Sequence, residues 1–192
     1  MMVKDTYDNV IWSIDDYIAL LNAAENGDIT GVRLMLDRGM DADTIGPLGW
    51  TPLRKAAAFN RGEVALELLK RGASVDATDF LGQTALMFAC SYGHHDMVLL
   101  LLFYGADPNR KNHSGRTPLM IAAGGGYHKI VGTLLDELSS GEVTLSDRSG
   151  KTAVDIAIVN GHKDIAQMLE SANALRVLRE PMEMRYAPSL RN

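Results

Sequence analysis

Residues 88–103 read FACSYGHHDMVLLLLF. The stretch holds the chain's one cysteine, Cys90, then His94-His95-Asp96, then a run of leucines. A thiol beside an imidazole is the raw material of a covalent nucleophile. Imidazoles and a carboxylate can bind zinc. A leucine run can belong to a membrane helix. Elsewhere Ser149-Gly150-Lys151-Thr152 looks like the end of a phosphate-binding loop, Gly124-Gly125-Gly126 like a backbone cradle, and Asp15-Asp16 and Asp136-Glu137 like acid–base pairs.

Local spacing decides several of these. A phosphate loop needs Gly-x4-Gly-Lys-Thr, and the first glycine's place is held by Leu145. The longest apolar run, Met97 to Tyr104, has eight residues, whereas a membrane helix needs about 20. Zinc needs three or four converging ligands, but consecutive side chains on a helix point about 100° apart. Asp15 and Asp16 complement a helix N-terminus.

The bulk properties fit one soluble domain. The chain has 192 residues, 46% of them hydrophobic, and a formal net charge of -5. Residues 1–47 carry three basic and nine acidic side chains, whereas residues 171–192 carry four basic and two acidic. No segment holds a basic run of the kind that neutralises nucleic-acid phosphates. A lone cysteine cannot form an internal disulfide, which suits a reducing compartment. MMVKDTYDNV lacks the basic start and apolar stretch of a signal peptide. The expected location is cytoplasmic.

The elements that carry these motifs repeat. Gly49-Trp50-Thr51-Pro52-Leu53 returns as Gly82-Gln83-Thr84-Ala85-Leu86, Gly115-Arg116-Thr117-Pro118-Leu119 and Gly150-Lys151-Thr152-Ala153-Val154, with 33, 33 and 35 residues between threonines. Small pairs follow: Ala56-Ala57, Ala89-Cys90, Ala122-Ala123 and Ala157-Ile158. Gly93, Gly126 and Gly161 come next, then an apolar stripe. A divergent first unit places Leu20, Ala23-Ala24 and Gly27 in the same slots. Each threonine can cap a helix, with proline tolerated in the first turn. The small pairs let neighbouring helices approach, and the glycines end helices in the left-handed conformation. A second helix carries stripes such as Val64, Leu66, Leu68 and Leu69. One unit cannot bury its apolar faces alone, but a stack can. Leu99–Leu102 then belong to a middle helix covered on both sides.

Thr51-Pro52-Leu53, Thr117-Pro118-Leu119, Gly93-His94, Gly161-His162 and Gly105-Ala106-Asp107-Pro108-Asn109 resemble the ankyrin repeat family. The resemblance covers residues 14–171. It implies an all-α solenoid of stacked helix pairs with projecting β-turn fingers. The expected repeats span about 18–47, 48–80, 81–113, 114–148 and 149–171, after an N-terminal segment at 1–13. Residues 172–192 form a helix extension that Pro181 should stop, and then a tail. Three departures stand out. The family's Thr-Pro-Leu-His histidine is replaced by Arg54, Met87, Met120 and Asp155. Two extra residues near Leu138–Gly141 should displace the following finger. The first unit lacks Thr-Pro, as an end cap would.

In that frame His94, His95 and Cys90 recur because the repeat recurs, so neither a metal nor a cofactor is expected. The Gly124–Gly126 run loosens a helix end or admits a partner's backbone. The family usually binds proteins through its fingers and first helices. Mapped slot by slot, that surface is apolar toward the N-terminal half, with Leu48, Trp50, Phe59, Phe80, Leu81 and Tyr92. It is basic toward the C-terminal half, with Arg110, Lys111, His113, Arg116, Arg148 and Lys151. The implied function is a non-catalytic, monomeric interaction module, an adaptor, scaffold or targeting subunit. The implied partner is an extended protein segment with apolar anchors and acidic residues, not nucleic acid or membrane. The alternative is a specific inhibitor of one enzyme. If the histidines are repeat residues, a chelator should leave the unfolding midpoint unchanged. Stoichiometric zinc lost together with stability would overturn that assignment.

Overall fold

Each repeat begins where a hydroxyl replaces a missing backbone partner. Thr51, Thr84, Thr117 and Thr152 are the N-caps of α3 (Pro52–Ala58), α5 (Ala85–Tyr92), α7 (Pro118–Gly125) and α9 (Ala153–Val159). Each side chain accepts from the N–H three residues on, at 3.3–3.4 Å. In the divergent first unit Ser13 does this for α1 (Ile14–Asn26). Asp16 completes a capping box there by accepting from the Ser13 N–H at 2.8 Å. Those bonds from Ser13 hold the Asp16 carboxyl below its ordinary range.

The computed structural model describes residues 3–4, 11–46, 49–138 and 143–186. Second helices α2 (Ile29–Asp37), α4 (Gly62–Lys70), α6 (His95–Phe103), α8 (His128–Glu137) and α10 (Lys163–Tyr186) complete five helix pairs among these residues. Two short strands, β1 (Val3–Lys4) and β2 (Ile11–Trp12), pair antiparallel ahead of them. Gly27, Gly93 and Gly126 end their helices at φ 80°, 74° and 79°. In the second repeat Asn60 takes that left-handed position at φ 55°, as asparagine can.

First helices stack side by side through the small pairs. Ala56, Ala57, Ala89, Cys90, Ala122, Ala123 and Ala157 have no exposed surface. Ile158, the last member of this column, is 52% exposed because no further first helix packs beyond α9 among the described residues.

A second column ties each repeat to the one before. Arg61, His94, Tyr127 and His162 share the slot just before each second helix. Arg61 Nε donates to the Glu25 carbonyl at 2.8 Å, and the His94 ring bonds the Ala58 carbonyl at 3.1 Å. Tyr127 Oη donates to the Ser91 carbonyl at 3.3 Å. The His162 ring lies against Gly126. Each side chain satisfies or covers the end of the preceding first helix, where carbonyls lack intrahelical donors.

Two expectations need correction. The last finger is not displaced: the Arg148 N–H donates to the Ser114 carbonyl at 3.0 Å, in register with the His113 N–H on the Leu81 carbonyl at 2.8 Å. The two extra residues are absorbed before Asp147, and part of that insertion, 139–142, lies outside the described residues. Pro181 does not stop α10, which runs on to Tyr186. It removes one backbone donor without ending the helix. The middle second helix has second helices on both sides, as expected, but its outer face is open. Leu99 is 45% and Phe103 83% exposed, because the neighbouring second helices flank α6 without wrapping its outer face. Residues 187–192 of the tail lie outside the described residues.

Each of the last three fingers is a tight turn closed by the side chain at its first position, a slot that Gly46 holds in the first finger. Asp79 accepts from the Leu81 and Gln83 N–H groups, both at 2.8 Å. Asn112 does the same for Ser114 and Arg116, and Asp147 for Ser149 and Lys151. Hydrogen bonds from the Ser149 hydroxyl and the Lys151 N–H, helped by the Arg116 charge, pull the Asp147 carboxyl down to about 2.

The core predicts that Leu101→Ala, at a fully buried site, destabilises by about 2–5 kcal/mol in denaturant titration, as buried large-to-small changes do. Leu99→Ala should cost far less, and equal costs would mean that the outer face of α6 is covered in solution. The finger predicts a pH effect. Because the folded pKa of Asp147 is depressed, its charge stabilises above the ordinary carboxyl pKa of about 3.9 and the gain is lost as pH falls toward 2. Asp147→Ala should therefore melt lower than the native chain at pH 7, with the gap closing in acid. A pH-independent gap would show that the charge plays no part.

Candidate functional site

The Gly-x-Thr register fixes one column along the groove. Its x positions are Trp50, Gln83, Arg116 and Lys151. The position two before each of these glycines is the finger tip, and in the later fingers it holds Phe80, His113 and Arg148. The tip leans over the glycine of the preceding finger. A Cβ on Gly82 would stand 2.9 Å from the His113 ring, and one on Gly115 2.8 Å from the Arg148 nitrogen. With φ of 73° and 77° as well, neither position suits another residue. The finger tips are thereby locked edge to edge.

The apolar half is partly uncovered. Phe80 is 70% exposed, Leu81 61%, Tyr92 56% and Phe59 43%. Trp50 does not project as a free anchor. It is half-buried, its ring 4.7 Å from that of Phe88, with Lys55 Nζ 4.8 Å from its centroid. Lys55 also stands 5.6 Å from the Phe59 ring and is held by Glu25 at 2.6 Å. Phe88 was missing from the sequence-derived surface because its slot holds Lys55, Ile121 and Ile156 in other repeats and shows no constant exposure. Leu48 lies outside the described residues.

Half of the basic residues are spent on the protein itself. Arg116 lies 3.6 Å from Asp147, and Arg110 3.9 Å from Asp76. Lys111 Nζ donates to the Ser146 carbonyl at 3.4 Å. His113, Arg148 and Lys151 are exposed. Beside Arg116 and Lys151 runs a recess of about 420 Å³, with Gln83, Asn112, Gly124 and Asn160 among its lining residues. It holds side-chain amides and two cations, one of them Asp147-paired, and suits hydrogen bonding to an extended backbone.

The glycine run has a different reason from either expected one. A Cβ on Gly125 would stand 2.3 Å from the Tyr127 ring, and one on Gly126 2.6 Å from the His162 ring. Asn160 Nδ2 donates to the Gly124 carbonyl at 2.7 Å. The glycines make room for the chain's own inter-repeat side chains. Residues that suggested chemistry are likewise occupied. Cys90 is fully buried, and burial pushes its thiol far up, which disfavours the thiolate that a nucleophile needs. The His95 ring bonds Thr133 Oγ1 at 3.0 Å.

The family model described as ankyrin repeats in three copies matches residues 4–79, 20–112 and 86–176. No curated protein matches the chain. No helix among the described residues is long and apolar enough to cross a membrane. With hydroxyl-capped helix pairs, locked finger turns and family matches that together run from residue 4 to 176, the chain belongs to the ankyrin repeat family.

Proposed function

We propose that this chain is a non-catalytic module that binds one extended protein segment along the fingers and first helices. Ankyrin repeats are generally protein–protein interaction modules. The observation that carries the reading is the partly uncovered run of Phe59, Phe80, Leu81 and Tyr92. Large side chains at the centre of an interface supply most of its affinity. Four of them on successive repeats form a strip that an extended segment can follow. Because Arg116 and Arg110 are internally paired, acidic residues of the partner meet chiefly Arg148 and Lys151. The module acts as a monomeric adaptor or targeting subunit in the cytoplasm, where its single thiol stays reduced.

The test uses the exposed residues, since Trp50 also packs on Phe88. Phe80→Ala with Leu81→Ala should weaken capture of the partner by about 30-fold or more, roughly 2 kcal/mol, with helical content unchanged. Lys151→Ala should mainly slow association and reduce its salt dependence. Undiminished capture by the double variant would place the interface elsewhere.

A further inference from the structure

Arg54 breaks the rule of its own column. The slot after Thr-x-x holds Leu21, Arg54, Met87 and Met120 in the first four repeats, at 4%, 1%, 0% and 2% exposure. Its neighbours in the stack are thus apolar, and the fold asks for an apolar residue. Instead the slot contains a guanidinium, and Nε, Nη1 and Nη2 are all shielded with no hydrogen-bond partner among the described residues. The Asp79 carboxylate acts on it through charge alone, without a hydrogen bond, while its Oδ1 closes the finger by accepting from the Leu81 and Gln83 N–H groups. A buried cation without hydrogen bonds is among the costliest groups a fold can hold. Thioether side chains fill the same slot in the next two repeats, so packing alone does not call for an arginine.

The surroundings point to an anion. The guanidinium carbon lies 5.9 Å from the centroid of the Trp50 ring. Trp50 belongs to the column that lines the groove, and it is half-buried. Guanidinium groups bind carboxylates through a planar, two-bond fork. We propose that Arg54 is a buried carboxylate receptor, reached when the Trp50 ring turns aside, and that its ligand is an Asp or Glu side chain of the bound segment. This rests on the groove reading above and gives one further acidic residue of the partner, beside those that meet Arg148 and Lys151, a seat within the aromatic half. It also gives Trp50 a role: the indole shields the charge in the free chain and supplies a face for it to stack on.

The test is Arg54→Met, which makes the slot match Met87 and Met120, with Arg54→Lys as the charge-conserving comparison. The probes are a hexaglutamate peptide against hexalysine, and sulfate against chloride at one ionic strength. Unfolding midpoint and tryptophan fluorescence are the readouts. In chloride alone, Arg54→Met should melt higher than the native chain, by roughly 5 °C, since it removes a buried charge that has no hydrogen-bond partner. Hexaglutamate should raise the native midpoint and change tryptophan emission. Its affinity should fall at least about 10-fold in Arg54→Met, with Arg54→Lys in between. A lower midpoint for Arg54→Met would overturn the proposal by showing that the arginine is compensated within the free chain. An equal response of both chains to hexaglutamate, or a response to sulfate alone, would overturn the carboxylate seat. The Phe80 and Leu81 variant should keep the hexaglutamate response of the free chain, so failure of the groove reading would be visible separately.

Discussion

The contact on which this structure depends is the face-to-face approach of consecutive first helices through side chains no larger than a cysteine. Ala56-Ala57, Ala89-Cys90 and Ala122-Ala123 leave no exposed surface. A single larger residue there would push two helices apart and with them every finger beyond. First helices pack together more closely than second helices do. The stack therefore curves toward its first-helix side, and the groove is a consequence of that small column. Thr51, Thr84, Thr117 and Thr152 start each first helix in the same register, so the Gly-x-Thr residues fall in line along the groove.

Close approach creates a second demand. The end of each first helix lies against the next repeat, where its last carbonyls would be lost from water. Arg61, His94 and Tyr127 answer this with three different chemistries aimed at the same target, a carbonyl in the preceding repeat. The bulk of Tyr127 then needs room, and Gly93 and Gly125 provide it. Glycine in a helix costs up to about 1 kcal/mol relative to alanine. The sequence accepts that cost at Gly125 because the Tyr127 ring occupies the space that alanine would fill, and at Gly124 because a Cβ would crowd Ile156 at 3.0 Å and Asn160 at 3.3 Å.

The fold was legible because its signals are local and repeated. Threonine caps, glycine helix ends and small pairs recur at a fixed spacing, so a misread copy is corrected by the others. What stayed hidden depends on which side chain meets which across repeats. Linear order shows that Arg116 and Asp147 exist but not that one offsets the other. It shows Trp50 on a finger but not its packing against Phe88, 38 residues away in the chain. The exposure of Phe103 was not legible either. Position in a middle helix implies neighbours on two sides, whereas a solenoid leaves its outer side open. The in-register last finger was hidden because an insertion's length does not say which residues absorb it.

A column can be read by asking whether its job stays constant when its residues change. The slot of Arg61, His94, Tyr127 and His162 varies in chemistry and keeps one job, so its variation is structural. The groove column of Trp50, Gln83, Arg116 and Lys151 runs from aromatic to cationic and has no common internal target. Its variation is free to follow something outside the chain. Arg54 is the harder case, because its slot has a constant job, filling an apolar gap, and it alone among four buried residues does that job badly. Burial without hydrogen bonds disfavours the charged form, as the lowered Arg54 pKa expresses. An apolar substitution at such a slot is available and in use one repeat away. The presence of the guanidinium there fits a compensating interaction outside the free fold, with the half-buried Trp50 ring between it and the groove.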